Sequence, residues 1–546
     1  MRTLRLSTTL FRRFLDSPKT NKISILILVL GLTFFVSWLA NYSWTIITTP
    51  YPAEYREGAI LLLTDFLIHG LNPFSLANHP LMTNNYGFLY NLVVLPFAMI
   101  LGNTLAVHRM ISILFVFTSC MLIVLVLIKI GNTLPFAYAG GVIVMASLLF
   151  QVTPLARPDS LGEFFFLLSI LLPWQRKFDT PALIASGLTG LLAFLAKPYF
   201  ILSIGIVTTY VFLFVSKKKG LFYALFAITA FLLVFYIVNI YFECYFLDVL
   251  LNNIANSGLS DSHMLKQLTL FVKLFLPCTL ILFLAASENA TQLFSKPTGL
   301  FRNLESLNIT RLDQPLVHSP INYFVFLLEC TLIVVVVLLG RHLGAYMVYF
   351  FQLVTPALIL VIFQQKDVLN KKAVMTVPLI LINFSLICFW MLYPNQLSTA
   401  QQKEWEKLYR PIASSTHILN SPVLVPEMVR LGIVPVDSGQ TEYYFNTRPY
   451  HSTPFAPEYH KVKQQGMKYL NTIRTKIQNR NYDYIIVTSG LDPNYRSVFF
   501  ISEQALSPLA SHMLIDQFYN QVELIKIAMP QTGEYWIVEV LEPAKK

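Results

Sequence analysis

Charge is what this chain has least of. Only 13% of its 546 residues are Asp, Glu, Lys or Arg, whereas 55% are hydrophobic and the mean hydropathy is +0.58. Soluble proteins carry roughly a quarter charged residues, so a water-soluble fold is excluded and a polytopic membrane protein is implied. Cysteine is scarce as well. The five, at 120, 244, 278, 330 and 388, lie within or beside apolar runs without Cys-x-x-Cys spacing or a neighbouring His cluster. They read as core residues, not as a disulfide scaffold or a zinc site. There is no Walker loop, no GxGxxG and no HExxH, which leaves soluble nucleotide chemistry without a motif. An internal repeat, the mark of many secondary transporters, is missing too.

What the chain has is long apolar runs, punctuated by short basic clusters. A formal charge of +11 with a pI near 9.2 would suggest nucleic acid in a soluble protein. Here the basic residues fall between apolar runs, as a topology signal does, and nucleic acid is not an expected partner. The N-terminal Arg2, Arg5, Arg12, Arg13, Lys19 and Lys22 precede an apolar run that lacks a small-x-small cleavage site, which reads as an uncleaved anchor. A span needs about 20 apolar residues. Spans are expected at about 23–41, 109–130, 134–153, 160–174, 181–196, 199–215, 221–240, 267–286, 321–340, 344–363 and 373–393. The run from Asn91 to Gly102 is too short to cross and is expected to lie at the interface.

The basic clusters test that count. With the N-terminus inside, Lys129, Arg176-Lys177, Lys217-Lys218-Lys219, Lys296 with Arg302 and Arg311, and Lys366 with Lys371-Lys372 all fall on the cytoplasmic side. The exported side then receives residues 51–102, Arg157-Pro158-Asp159, Lys197-Pro198-Tyr199, the loop from about Tyr241 to Lys266, and Arg341-His342. Charges at a membrane boundary without a topological reason are functional candidates; taken singly, each also reads as an interfacial anchor that snorkels to water. The expected spans are nearly free of acids, Glu329 being the main exception.

A helix from about Glu54 to His69 would gather Glu54, Glu57, Thr64, Asp65 and His69 on one arc and Ile60, Leu63, Phe66 and Leu67 near the other. It is expected to lie in the membrane surface, acids to water. Glu57 also suits a helix start, and Asp65 reads as a solvated face. Asp159 reads either as an N-terminal cap or as a second site acid. Lys197 and Arg341, with His342 and Tyr346 beside the latter, are suited to an anionic lipid phosphate. From about Pro394 the chain turns polar, with strands expected at 482–487 and 535–540 and a helix at 461–479. The division is therefore 1–393 for the membrane domain and 394–546 for a small α/β domain on the exported side.

Taken together, Arg56-Glu57-Gly58, Gly70-Leu71-Asn72-Pro73-Phe74, Tyr86-Gly87-Phe88-Leu89, Arg109 and Arg157-Pro158-Asp159 resemble the ordered elements of the GT-C class of integral-membrane glycosyltransferases. That class includes the protein O-mannosyltransferases and the lipid A aminoarabinose transferase. The resemblance covers about the first 200 residues. Arg56 stands where several relatives have a catalytic Asp, and Phe88 replaces the usual Pro. What the resemblance implies is an inverting hexosyl- or pentosyltransferase of a bacterial inner membrane. Its donor would be a polyprenyl-phosphate sugar and its acceptor a glycan, lipid or protein hydroxyl. It implies Glu57 as base, with Glu54 the fallback and Asp159 the second acid. Arg157, Lys197, Arg341, His342, Tyr346, His79 and Tyr86 would face substrate. It leaves a divalent cation, Mg or Mn, open. The alternatives are a polyprenyl-linked glycan carrier or flippase, an O-antigen ligase or polymerase, and a glycan-binding scaffold.

Overall fold

The computed structural model describes residues 18–150, 154–252, 258–288, 313–317, 321–342, 347–392, 396–439, 441, 456–488, 512–530 and 535–545. The protein is a polytopic α-helical membrane protein with a small sheet near its C-terminus. Among the described residues, seven helical segments are long and apolar enough to cross a membrane: Lys19–Thr48, Leu105–Ile130, Pro198–Val215, Lys217–Tyr241, Asp261–Ala286, Tyr323–Arg341 and Ala373–Trp390. The remaining four expected spans meet shorter helical segments. The stretch carrying Lys296, Arg302 and Arg311, expected on the inside, lies outside the described residues.

In chain order the helices begin with α1 (Pro18–Thr48), α2 (Glu57–Ile68), α3 (Leu89–Leu101), α4 (Leu105–Ile130), α5 (Leu134–Leu148), α6 (Asp159–Gln175) and α7 (Thr180–Ala196). There follow α8 (Leu202–Tyr210), α9 (Lys217–Tyr241), α10 (Asp261–Glu288), α11 (Tyr323–Val337), α12 (Thr355–Phe363), α13 (Lys366–Lys371) and α14 (Ala373–Met391). Local chemistry fixes several ends. Thr104 caps α4 by accepting from the Val107 amide at 3.4 Å, and Gly131 closes it at φ 102°. Asp179 accepts from the Ala182 amide to start α7.

Two elements of the first loop position the site. Expected to lie in the membrane surface, α2 is instead enclosed: Glu57 through Thr64 are all buried, the one acid among them as well as the leucines. One side meets the C-terminal region so closely that a Cβ on Gly58 would stand 2.6 Å from the Val425 Cβ. The second element, α3, keeps Leu92, Phe97, Met99, Ile100 and Leu101 exposed. Its 13 residues reach roughly 20 Å, too short to span, as an interfacial helix should be.

The C-terminal region opens with α15 (Thr399–Ser414), started by a reciprocal capping box between Ser398 and Gln401. A four-stranded sheet follows, ordered β1 (Ile418–Leu419), β2 (Tyr484–Thr488), β4 (Tyr535–Pro543), β3 (Tyr519–Ala528). β1 runs parallel to β2, the other two pairs are antiparallel, and a bulge interrupts β3 between Gln521 and Glu523. Trp405 of α15 is fully buried and donates to the Ala528 carbonyl at 3.0 Å. Its ring stacks on Tyr51 at 5.1 Å, which seats this region on the first loop.

Candidate functional site

At the start of α2, Glu57 meets Arg109 of α4 in a fully buried bidentate pair: Nε to Oε1 at 2.8 Å and Nη2 to Oε2 at 2.6 Å. The Ala156 amide donates to the same Oε1 and the Ala53 amide to the same Oε2, each at 2.8 Å. Arg109 spends its remaining hydrogens on the carbonyls of Ile46, Thr49 and Tyr51. Burial alone would raise the Glu57 pKa, but the guanidinium and the two amides outweigh it and hold the carboxyl below its ordinary value. A carboxylate with four donors and no exposure cannot receive a proton from a substrate hydroxyl. Glu57, the expected base, is given over to these structural bonds. It is the joint that ties the end of α1, the first loop and the 155–159 segment together.

The segment that Glu57 holds delivers Arg157 and Asp159. Pro158 occupies the N-cap of α6 and Asp159 is the first helical residue, making no side-chain cap bond. Instead, the Lys197 ammonium donates to Asp159 Oδ1 at 2.6 Å and the Gln352 amide to the same oxygen at 3.2 Å. Oδ2 accepts no hydrogen bond among the described residues, and Arg157 Nε lies 3.4 Å from it. Tyr86 sits between the two cations: its ring centroid is 5.2 Å from each, and its hydroxyl accepts from Arg157 Nη2 at 2.6 Å. Burial pushes the Tyr86 phenol up to about 12, so it stays neutral. Gly87 permits this placement, because a Cβ there would stand 1.7 Å from the Leu195 carbonyl oxygen. The Gly87 amide bonds the Ala196 carbonyl, one residue before Lys197.

Glu54 completes the group from the open side. It is 21% exposed, with Oε1 3.4 Å from Arg56 Nε and Oε2 3.5 Å from Arg157 Nη1, both beyond ordinary hydrogen-bond length. Three cations, Arg56, Arg157 and Lys197, thus face two carboxylates, Glu54 and Asp159. Burial brings the Lys197 ammonium down to about 8 despite Asp159, and Arg157 and Arg56 push the same way as burial. Such a site gains from an added anion.

Other expected site residues lie elsewhere. His79 is buried, its Nε2 2.6 Å from Asp248 Oδ2 and its Nδ1 2.8 Å from the Ser75 carbonyl. It clasps the first loop to the chain after α9 and is closed to substrate. Arg341 pairs with Asp261 at the start of α10 at 2.7 Å, and His342 bridges to Leu259. Neither shares a bond with the Asp159 group among the described residues, and Tyr346 lies outside them. Asp65 is half-exposed beside His69 at 3.6 Å, as a solvated acid should be. Glu329 is exposed.

Two members were missed in the sequence. Gln352 is 2% exposed in a π-helical turn, Phe350–Val354, ahead of α12. Glu163 is fully buried one turn beyond Asp159, and neither of its oxygens has a hydrogen-bond partner among the described residues. Each is a lone polar residue in an apolar run, which was a usable signal. Among the described residues no group of three or more His, Cys, Asp or Glu could hold a metal ion.

An apolar groove of about 370 Å³ runs between α8 and α9, lined by Ile201, Gly205, Thr208, Ala224, Ala227 and Phe231 among others. Nothing stands within 4 Å of where a Gly205 Cβ would be. Ile201, at one end of the lining, follows Lys197 by a single turn.

The fold and this group define a multi-pass membrane protein with a buried cationic centre at a loop–helix boundary. No family model matches the chain. No curated protein matches it either. Among solved structures, it is similar to the crystal structure of ArnT from Cupriavidus metallidurans bound to undecaprenyl phosphate. That likeness has a TM-score of 0.45 and 11% identity, and covers 93% of this chain and 97% of that one. A likeness of that degree assigns no chemistry to this chain.

Proposed function

We propose that the protein transfers a sugar from a polyprenyl-phosphate-linked donor to an acceptor hydroxyl at the non-cytoplasmic face of a bacterial inner membrane. The N-terminus would be cytoplasmic and the sheet region exported. The observation that carries the reading is the pair of buried cations, Arg157 and Lys197, flanking Tyr86, together with an apolar groove between α8 and α9 whose lining includes Ile201, four residues after Lys197. A phosphate monoester or diester needs such cations, and a polyprenyl chain needs such a groove.

In this reading the donor phosphate lies against Lys197 and Arg157, with its isoprenoid tail between α8 and α9. Glu54, loosely held and reachable from water, is the general base. It takes the acceptor hydroxyl proton as the acceptor oxygen attacks the anomeric carbon. The new C–O bond forms on one face while the bond to phosphate oxygen breaks on the other, giving inversion. Polyprenyl phosphate leaves with the bonding pair, and the two cations meet its added charge. The proton on Glu54 then passes to water. Asp159 does not touch the substrate; it holds the cations in place.

A deletion strain of the native host, complemented with wild type or Glu54→Gln, tests the assignment by mass spectrometry of lipid-linked sugars and envelope glycans. Accumulation of one lipid-linked sugar with loss of one glycan residue is expected in the deletion and in the variant. Unchanged profiles in the deletion strain would remove the transferase reading.

A further inference from the structure

Asp159 and Lys197 come from α6 and the end of α7, but the bond that orients them comes from a distant part of the chain. Gln352 stands 193 residues after Asp159 in sequence and donates Nε2 to its Oδ1 at 3.2 Å. Its own Oε1 accepts from the Tyr199 hydroxyl. The amide cannot sit the other way round. An ionised carboxylate only accepts, so the NH₂ must face Asp159 and the oxygen must face Tyr199. Tyr199 is held in turn, with its ring 4.8 Å from Tyr349 and 5.2 Å from the Lys197 ammonium. The π-helical turn over Phe350–Val354 carries Gln352, and such turns frequently mark functional positions.

We propose that Gln352 is a positioning residue of the anion site. Its amide, oriented by Tyr199, fixes Asp159 so that Lys197 and Arg157 converge on the place beside Tyr86 where a lipid phosphate binds. The inference rests on the proposed phosphate site and adds the element that holds it. Asp159 Oδ1 receives Lys197 and Gln352 together, which leaves Oδ2 turned toward Arg157. Without the amide, the carboxylate is free to rotate and the cations lose their common reference. The charged and titratable groups around this point are Arg56, Arg157, Lys197, Glu54, Glu163, Tyr86, Tyr199 and Tyr349.

The test is binding of radiolabelled undecaprenyl phosphate to purified protein in detergent from pH 6 to 10, with inorganic phosphate as competitor. Wild-type affinity should fall as pH rises through about 8, where Lys197 discharges. Gln352→Leu should weaken binding about tenfold at neutral pH, as loss of a hydrogen bond to a charged group does. Gln352→Glu sets a second carboxyl against Asp159; it can donate to Oδ1 only while the pair holds a shared proton, so binding should be nearest to wild type at pH 6 and the alkaline limb should move to lower pH. Tyr199→Phe should weaken binding alone and add nothing to Gln352→Leu.

Additive losses with an unmoved alkaline limb would reduce Gln352 to packing and overturn the proposal. If Lys197→Gln abolishes binding while all three variants bind as wild type, the proposal fails and the phosphate site stands. If Lys197→Gln binds as wild type, the site itself is wrong. Inorganic phosphate is expected to compete weakly, and competition equal to the lipid's would overturn the lipid assignment.

Discussion

At the residue scale, the two acids of the Glu54–Glu57 stretch have opposite fates three positions apart. Glu57 is fully enclosed and fully bonded, whereas Glu54 is loosely held and partly open. Glu57→Gln leaves a buried guanidinium short of its counter-charge. Losing one member of a buried pair typically costs about 3–5 kcal/mol, so thermal unfolding in detergent should begin well below the wild-type temperature. In the folded state the Glu57 carboxyl is held below its ordinary value of 4.5. Its contribution to stability is therefore present above that pH and is lost as pH falls through the folded value. The variant should lack this acid slope. Glu54→Gln should unfold like wild type yet slow transfer by about 10² to 10⁴, measured as restoration of the missing glycan in deletion-strain membranes. A wild-type rate would move the base elsewhere.

At the element scale, α8 and α9 matter for the space between them. Gly205 on α8 lines the groove with nothing within 4 Å of where its Cβ would stand, so Gly205→Phe would project its ring into the groove. The donor concentration for half-maximal rate should rise while thermal stability holds. Gly205→Ala, which leaves the groove open and improves helix propensity by roughly 1 kcal/mol, should keep the wild-type value. Equal effects of Phe and Ala would place the tail outside this groove. The first-loop elements act together in the same way. Asn72 donates to the Tyr241 carbonyl, Cys244 to the Phe74 carbonyl, and Glu243 accepts from the Leu76 amide. With the His79–Asp248 clasp, these bonds join the loop carrying Tyr86 to the end of α9, a groove wall.

At the scale of the whole molecule, a core of membrane helices holds α6 and α7, and the sheet region is seated on the first loop through Trp405, Tyr51 and Val425. The site lies where these meet. Its proposed orientation across the membrane rests on the basic clusters. A reporter fused after Gly131 should read cytoplasmic and one after Tyr393 exported. The reverse pattern would carry Lys217, Lys218 and Lys219 outward against the positive-inside preference.

Without reaching β1 or β3, the sequence by itself determined the membrane class of the protein, the approximate position of its apolar helices, the short α3 and two of the strands near the C-terminus, β2 and β4. Each of these follows from local periodicity and run length, which the chain carries without reference to distant residues. It also brought Glu54, Arg157, Asp159 and Lys197 into view, because charges at membrane boundaries stand out against an apolar background, and Tyr86 through the resemblance carried by Tyr86-Gly87-Phe88-Leu89. Only the tertiary structure decided which of them act together. That Glu57 is consumed by Arg109, that His79 is closed off by Asp248, that Arg341 belongs to Asp261 and that Gln352 reaches Asp159 are pairings between 52 and 193 residues apart. A carboxylate's role depends on how many donors surround it and how much water it meets. Both are set by packing, and neither is written in the spacing of residues along one helix.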